Sequence, residues 1–547
     1  MTIITSAAAS TMKSALVAAA SASIVAKITA LATVVGGAAA LAVTVGAVKT
    51  ADLPAILVVK EPVKQAAPIA PAPPVVAIAA GPRFEVGVNV AGSVYYNTER
   101  VFANLAQGSG NWVDPSAGWG GMAAGKLNSH GYPAVAGALF LNVPQPVWAG
   151  TAVAVTCTWL GSGKITVDGD ARGAGANNSI SFNWRGKSGT GRPNIIFYVA
   201  NANAADPFRA LDCREPGLAA NGVFDQRYVD DMKPFGVLRF LDWSNTNGNP
   251  ASVTWESRAT LDKAGNDGVA LEHMIDLANA ADSDAWFTVP YNADETYVRN
   301  MAKLVHDRLK TGHRAYFELS NEVWNFSFPV ATQALNEGLA EKLSTDKYSN
   351  HLMRYAEKSI WMHKLLTEAF ADNPSRLVRV VSAQNDNSFS AKTIMGFRDT
   401  ANWVDALATA PYFGHSFFNG ANAAVTDIDK LFVSLEAARV TALARANENK
   451  TVAAKYGKRY IAYEGGQHII TSGPTADINA AMQRSPLMYD MYKRFLTDWK
   501  AQIGDTMTLY SATGVISQYG SWGMREFARQ PLAETPKQRA ALEFARK

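Results

Sequence analysis

From Arg83 onward the chain alternates short apolar runs with longer stretches in which apolar residues recur at helical spacing. Phe84–Val90, Gly236–Asp242, Ala285–Val289, Arg314–Ser320, Leu377–Ala383, Ala406–Ala410, Tyr460–Tyr463 and Met507–Tyr510 are short, largely apolar and read as buried strands. Between and after them, Leu271–Ala281, Glu295–Lys310, Ala331–Lys342, Tyr348–Phe370, Ala391–Phe397, Ala423–Asn447, Ala476–Gln502 and Lys537–Ala545 read as helices, with a bend expected at Pro486. Tyr96–Ala106 adds a short helical segment. Eight strands interleaved with helices predict an α/β fold, a parallel (β/α)8 TIM barrel. A doubly wound open sheet has a similar rhythm, and the count of eight favours the barrel.

One stretch breaks the rhythm. Between residues 119 and 206 the candidates are strands alone: Ala134–Val143, Ala152–Leu160, Lys164–Val167, Ser179–Trp184 and Asn194–Val199, separated by Gly, Pro and Asn. This predicts a small antiparallel β module inserted after the first barrel strand. The barrel would then comprise residues 83–118 and 207–547.

The first 82 residues follow another pattern. Up to about residue 50 the only charges are Lys13, Lys27 and Lys49, and Ile28–Val48 is a charge-free stretch of 21 residues. That is long enough to cross a bilayer, as an uncleaved anchor or within a long secretory signal with small-residue cleavage options near Ala38–Ala42. Residues 51–82 include a Pro/Ala-rich run from Glu61 to Pro74, the composition of a semi-rigid extended linker. The arrangement predicts export, to the periplasm or outside the cell, with an inner-membrane tether if the segment is retained.

Composition narrows the classes further. Hydrophobic residues make up 48%, enough for a large core, whereas charged residues are only 18%. Lys and Arg number 51 against 47 Asp and Glu, too even a balance for a dedicated nucleic-acid binder. Two cysteines, Cys157 and Cys213, exclude a disulfide scaffold or a four-thiolate zinc site, and leave open one bridge or two buried thiols. The histidines show no metal-ligand spacing, no Gly-x-Ser-x-Gly elbow is present, and Gly186-Lys187-Ser188 lacks the first glycine of a phosphate loop. No metal or cofactor is expected.

Functional side chains of such a barrel project from the C-terminal strand ends. Those ends carry Arg239 and Asp242-Trp243 on the second strand, Ser320-Asn321-Glu322 followed by Trp324 on the fourth, and Tyr412 and His415 on the sixth. Tyr463-Glu464-Gly465-Gly466 ends the seventh, and Trp522 follows the eighth. Two carboxylates, Glu322 and Glu464, thus face one mouth amid aromatic and amide side chains. Glycosidic bond cleavage needs one carboxyl to protonate the leaving oxygen and a second to attack the anomeric carbon or activate water. Asn321 is placed to hold a sugar 2-hydroxyl.

Taken in order, these features resemble glycoside hydrolase clan A, the retaining (β/α)8 barrels that include the family 5 cellulases and mannanases. The strings at 317–325 and 463–468 also resemble a bacterial group often labelled cellulose-binding proteins, which insert a β module at the same point. The resemblance implies Glu322 as acid/base, preceded by its Asn321, and Glu464 as nucleophile. It further implies Arg239 beside the nucleophile, Tyr412 or His415 as the partner from the sixth strand, and Trp522 as a sugar platform. The sixth strand departs from the clan pattern, because Tyr412 precedes His415. The resemblance implies a retaining hydrolase of a β-linked poly- or oligosaccharide, and the many rim aromatics point to endo action.

Competing readings exist for each residue. Glu322 is also what a helix N-terminus favours, Glu464 what a strand-end ion pair favours. Glu318, four residues before Glu322, is expected to pair with an interior arginine such as Arg239. Trp324, Phe326, Phe328, Phe413, Phe417 and Phe418 would serve equally as loop packing or as sugar subsites. The rival function is a non-catalytic carbohydrate-binding protein on a barrel scaffold, which an arginine ion pair occupying Glu464 would favour. A third is an envelope scaffold without sugar affinity.

Overall fold

A computed structural model describes residues 83–141, 152–175, 177–185, 194–218, 222–262 and 268–545. The N-terminal apolar segment and the Pro/Ala linker lie outside these residues. Among the described residues no helix is long and apolar enough to cross a membrane.

Eight parallel strands close into a barrel: β1 (Val86–Asn89), β11 (Val237–Arg239), β12 (Asp284–Val289), β13 (Ala315–Leu319), β14 (Leu377–Ser382), β15 (Ala406–Thr409), β17 (Arg459–Ala462) and β19 (Met507–Leu509). Closure is made where β1 pairs with both β11 and β19. Every residue of β12, β13 and β14 is buried, because helices cover the outside while side chains fill the inside, so these strands read as unbroken apolar runs. Gly87 marks a close seam between β1 and β11, since a Cβ there would lie 2.6 Å from the Val237 carbonyl oxygen.

The barrel lumen is packed, with Val237, Trp286, Tyr316, Val378, Val380, Ile461 and Tyr463 forming one cluster. Trp286 and Tyr316 stack with ring centroids 5.3 Å apart. Outside, the covering helices are α1 (Gln226–Met232), α2 (Leu271–Ala281), α3 (Glu295–Arg308), α4 (Pro329–Ala340), α5 (Asn350–Ala369), α6 (Ser388–Gly396), α7 (Ile428–Lys455), α8 (Ala476–Arg484), α9 (Pro486–Gln502) and α10 (Pro536–Leu542). The expected bend at Pro486 is a full break, because Ser485 caps a new helix through Leu487 N and Pro486 takes its first position. Helix α7 starts later than the pattern predicted, where the Asp427 carboxylate caps the amides of Asp429 and Lys430.

Tyr96–Ala106 is not helical, contrary to its apolar spacing. The Asn97 side chain accepts from Glu99 N and donates to the Gly92 carbonyl, an Asx-type turn that competes with helix. Phe102 instead bridges antiparallel to Phe224.

Between β1 and β11 the chain builds two antiparallel sheets. One has the order β10–β5–β8, from β5 (Ala152–Leu160), β8 (Ser179–Arg185) and β10 (Arg209–Arg214). The other has the order β3–β2–β4–β9–β6–β7, from β2 (Val113–Asp114), β3 (Gly120–Gly121), β4 (Gly137–Phe140), β6 (Lys164–Gly169), β7 (Gly173–Ala174) and β9 (Ile195–Ala200). Alternate residues of both, among them Val155, Trp159, Phe182, Trp184, Ile165 and Phe197, share a core separate from the barrel's. The strands run from Val113 to Arg214, beyond the 119–206 expected at both ends. The two-residue strands fall below any sequence pattern, and β10 is masked by its charges. Cys157 and Cys213 sit directly opposite each other on β5 and β10 and are bridged, which decides between the two readings of the cysteines.

The bridge closes a loop with a sequence separation of 56, for which chain entropy gives about 4 kcal/mol. The Cys157→Ala, Cys213→Ala double variant is therefore expected to lose stability of that order, chiefly within the inserted module. Denaturant titration followed by the fluorescence of Trp112, Trp159 and Trp184 checks this; coincident transitions in wild type and variant would refute it.

Candidate active site

Arg239, the last residue of β11, reaches across the barrel's open end fully buried. All five of its N–H groups are used. Nη1 donates to Glu464 Oε1 at 2.7 Å and to Asn89 Oδ1 at 2.9 Å. Nη2 donates to Glu318 Oε2 and to Asn321 Oδ1, both at 3.0 Å, and Nε donates to Glu318 Oε2 at 3.3 Å. Its guanidinium also lies 5.0 Å from the Tyr463 ring centroid. The pairing of Glu318 with Arg239 is the one its position before Glu322 pointed to. Trp286 Nε1 donates to the same Glu318 oxygen at 3.1 Å.

Glu322 leaves β13 through a sharp turn in which Ser320 and Glu322 both have left-handed backbone, φ 57° and 45°. Such conformations in non-glycine residues are costly and persist where the surroundings enforce them. Here Ser320 N donates to the Val289 carbonyl and Asn325 N to the Glu322 carbonyl. No helix begins at Glu322; the next one, α4, starts at Pro329. The helix N-terminus reading of this carboxylate therefore fails. Its Oε1 accepts from Tyr463 Oη at 2.9 Å and its Oε2 from Asn325 Nδ2 at 2.8 Å.

Glu464 follows β17. Beyond it Gly466–Gln467 (β18) pairs in parallel with Tyr412–Phe413 (β16), prolonging two barrel strands at the rim. Gly466 has φ 125°, and a Cβ there would meet Tyr492 Oη at 2.5 Å, so only glycine fits. This pairing brings Tyr412 Oη to Glu464 Oε2 at 2.8 Å. Tyr412 rather than His415 is thus the partner from the sixth strand. His415 is exposed and stands 5.4 Å from the His468 ring. Trp522 donates its indole N–H to His468 Nδ1 at 3.2 Å, and His468 packs on Tyr412 at 4.9 Å. Asn321 is held at both ends, its Oδ1 by Arg239 and its Nδ2 donating to Asn247 Oδ1 at 3.0 Å.

The electrostatics are asymmetric. Burial raises Glu322 above its ordinary value, opposed by the hydrogen bonds from Asn325 and Tyr463. Burial also pushes Glu464 up to about 8, opposed by Arg239 and reinforced by the charge of Glu322. The two carboxyls thus compete for ionisation, and only Glu464 touches a cation. That contact favours the charged form of Glu464 against its burial, whereas Glu322 is held by neutral donors. Burial and the nearby carboxylates raise Tyr412 and Tyr463 well above the ordinary phenol value, so both remain donors. Burial lowers His468 to about 4, leaving it neutral with Nδ1 free to accept from Trp522. Asp242 is exposed, although the protein around its carboxyl pushes it upward against the pull of Arg239.

Beside Glu322 opens a cleft of about 480 Å³ between the loops after β13 and β14, lined by Trp324, Phe326, Tyr348, His351, Gln384 and Phe389 among others. The indole nitrogen of Trp324 and Nδ1 of His351 have no partner among the described residues. The aromatic residues that sequence left undecided therefore divide. Trp324 and Phe326 line the cleft, whereas Phe413, Phe417 and Phe418 are buried in the core. Sequence reasoning gave no role to Tyr463, Asn325, Asn89, His468 or Tyr510. A tyrosine directly before a rim glutamate was a usable signal for Tyr463; the others gave none. Among the described residues no group of three or more His, Cys, Asp and Glu side chains is placed to hold a metal.

No protein-family model matches the sequence, and no curated protein matches it. Among solved structures it is similar to a 4-O-α-L-rhamnosyl-β-D-glucuronidase from Fusarium oxysporum 12S, with 10% identity, TM-score 0.38, and 58% of this chain covering 63% of that one. It is likewise similar to the GH51 arabinofuranosidase from Xanthomonas axonopodis pv. citri, with 12% identity, TM-score 0.35, and 55% covering 62%. A third is a modular endo-β-1,4-mannanase from Cellulomonas fimi, with 12% identity, TM-score 0.33, and 56% covering 63%. The chain thus spans less than two thirds of the length of these structures. Likeness at this level says nothing of residues or reaction.

Two outcomes follow from the buried charges. Arg239→Met strands two carboxylates and is expected to cost about 3–5 kcal/mol, partly restored by adding Glu318→Gln; thermal unfolding of the single and double variants tests this. Glu322 binds its proton more tightly folded than unfolded. Its contribution is therefore complete below the ordinary value of 4.5 and is lost as pH rises through the raised one. The melting temperature of Glu322→Gln relative to wild type is expected to climb as pH rises above 4.5; a flat difference would mean the carboxyl is unshifted.

Proposed function

We propose that this chain is a glycoside hydrolase that cleaves a β-linked poly- or oligosaccharide by a retaining, double-displacement mechanism. The observation that carries the reading is the unequal pair: Glu464 clamped by a cation and a phenol, Glu322 held by neutral donors only. Glu464 is the carboxylate suited to attack the anomeric carbon, because Arg239 and Tyr412 aim it and favour its charged form. Glu322, protonated in the resting pair, gives its proton to the departing oxygen. The resulting glycosyl ester removes the charge of Glu464 and lowers the affinity of Glu322 for a proton, so Glu322 then takes one from the incoming water. Trp522, His468 and Tyr510 wall one side of the mouth, and the cleft with Trp324 opens beside the proton donor, where the leaving portion of a chain would lie. The aromatic side chains at the rim, with Trp324 and Phe326 lining the cleft, support endo action. The disulfide and the N-terminal apolar segment support an exported protein, periplasmic or extracellular, tethered to the inner membrane if that segment is retained.

The Arg239–Glu464 ion pair is also the contact that favours the rival, a carbohydrate-binding barrel without catalysis. We prefer catalysis because the contact is through one nitrogen to one oxygen. The arginine's other donors are spent on Glu318, Asn89 and Asn321, which makes it a bracket for Glu464 rather than a cap.

The deciding experiment incubates wild type, Glu464→Gln and Glu322→Gln with a panel of β-glucans, xylans, mannans and bacterial exopolysaccharides, scoring released oligosaccharides. Both variants are expected to lose activity, Glu322→Gln by about 10²–10⁴-fold. With an activated aryl glycoside, azide should restore turnover of Glu322→Ala with retained configuration and of Glu464→Ala with inverted configuration. Polysaccharide binding without products, unchanged in either variant, would establish the rival.

A further inference from the structure

The loop after β1 carries two adjacent tyrosines out of the barrel mouth toward the inserted module. The root of that loop lies at the mouth, where a Cβ on Gly92 would stand 3.6 Å from Asp242 Oδ2. Asp242 and burial hold the Tyr510 phenol, at the end of β19, well above its ordinary value, and Tyr96 adds to that shift. Tyr510 in turn packs edge-on against Trp522 at 5.7 Å. From Tyr96 the aromatic contacts continue without a gap. Tyr95 lies 5.3 Å from Tyr96 and stacks on Phe140 at 5.0 Å with an interplanar angle of 29°. Phe140 meets Trp119 at 5.7 Å, and Trp119 meets Tyr198 at 6.1 Å.

The register explains why these rings lie outside the module. On β9, Ile195, Phe197 and Val199 point into the sandwich core, so Ile196 and Tyr198 point out. On β4, Phe140 pairs with Ile196, and small Ala138 pairs with Tyr198, leaving room for the Trp119 ring beside it. Across the other edge of β9, Thr166 on β6 pairs with Tyr198. None of the five rings from Tyr96 to Tyr198 is buried, and Tyr96 is 40% exposed. A sheet face that only shielded a core would be expected to carry polar side chains here, as the outer face of β5 and β8 does with Thr156, Thr158, Ser181 and Asn183.

We propose that this strip, from Tyr510 through Tyr96, Tyr95, Phe140 and Trp119 to Tyr198, is a glycan-binding platform that carries a polysaccharide chain from the barrel mouth across the inserted module. It rests on the reading of the mouth as a glycan-cleaving site. The apolar C–H faces of pyranose rings pair with aromatic faces, and a row of contiguous rings presents such faces in sequence. Position selects the occupant, because the loop that carries Tyr96 and Tyr95 starts at the rim that holds Glu464 and leads onto the module. Short substrates would not reach Trp119; long ones would.

The test uses the full-length protein and affinity electrophoresis in gels containing carboxymethyl cellulose, mixed-linkage β-glucan, xylan or glucomannan. Wild type and Glu464→Gln are expected to be retarded equally by at least one polymer. The Trp119→Ala, Tyr198→Ala double variant is expected to bind that polymer roughly tenfold more weakly or worse, with KM on the polymer raised, kcat unchanged and turnover of a short aryl glycoside untouched. Trp119→Phe, which keeps an aromatic face, should retain most of the binding and guards against misfolding. Equal retardation of the double variant overturns the proposal, as does a wild type that no polymer retards, or self-association of wild type that the double variant abolishes. Failure of the hydrolase reading shows differently: products that persist in Glu464→Gln, or none from wild type, alter nothing in the retardation series.

Discussion

The site depends on one buried guanidinium that serves two carboxylates. Arg239 is enclosed at the head of the barrel with Glu318 beneath it and Glu464 above it. A single cation here faces two carboxyl groups, in surroundings where an unpaired charge is expensive. The arrangement persists because each partner is fixed by something else. Trp286 donates to Glu318, Tyr412 to Glu464, and Asn89 is anchored to the carbonyls of Tyr463 and Leu509 on the closing strands. The arginine therefore ties β1, β11, β13 and the end of β17 into one rigid head. Removing it would loosen the barrel closure and the ionisation of Glu464 together.

Around that head the mouth has two unlike sides. On the side of Glu322, the loops after β13 and β14 open into a cleft with aromatic walls and unpaired polar atoms. On the side of Tyr510 and Trp522, the loop after β1 leads through Tyr96 and Tyr95 onto the inserted sandwich. The insertion follows β1 directly, so its root lies at the C-terminal rim of the barrel, the end at which the candidate site is built. An insertion on the opposite rim would have given the same module no access to the mouth.

Much was legible in the chain. Six of the eight barrel strands lie within the apolar runs that predicted them, and β12 and β17 begin one residue earlier, at Asp284 and Arg459, because strands buried on both sides need largely uninterrupted hydrophobic sequence. The inserted sheets were legible for the opposite reason: strands such as Ser179–Arg185 bury one face only and alternate strictly. The Tyr96–Ala106 helix failed because apolar spacing says nothing of the Asn97 turn or of pairing with a segment more than a hundred residues away. The two-residue strands β2, β3 and β7 exist only through their partners.

Sequence alone determined the fold class and the presence of two glutamates at strand ends, since burial pattern and strand order are local properties of the chain. Tertiary structure alone decided how those glutamates differ. Which of them touches Arg239, that Tyr412 and not His415 reaches Glu464, that Tyr463 serves Glu322, and that Cys157 faces Cys213 all depend on contacts between residues far apart in sequence. Proton affinities and partner choice are set by distance and enclosure, and neither is written in the order of the residues.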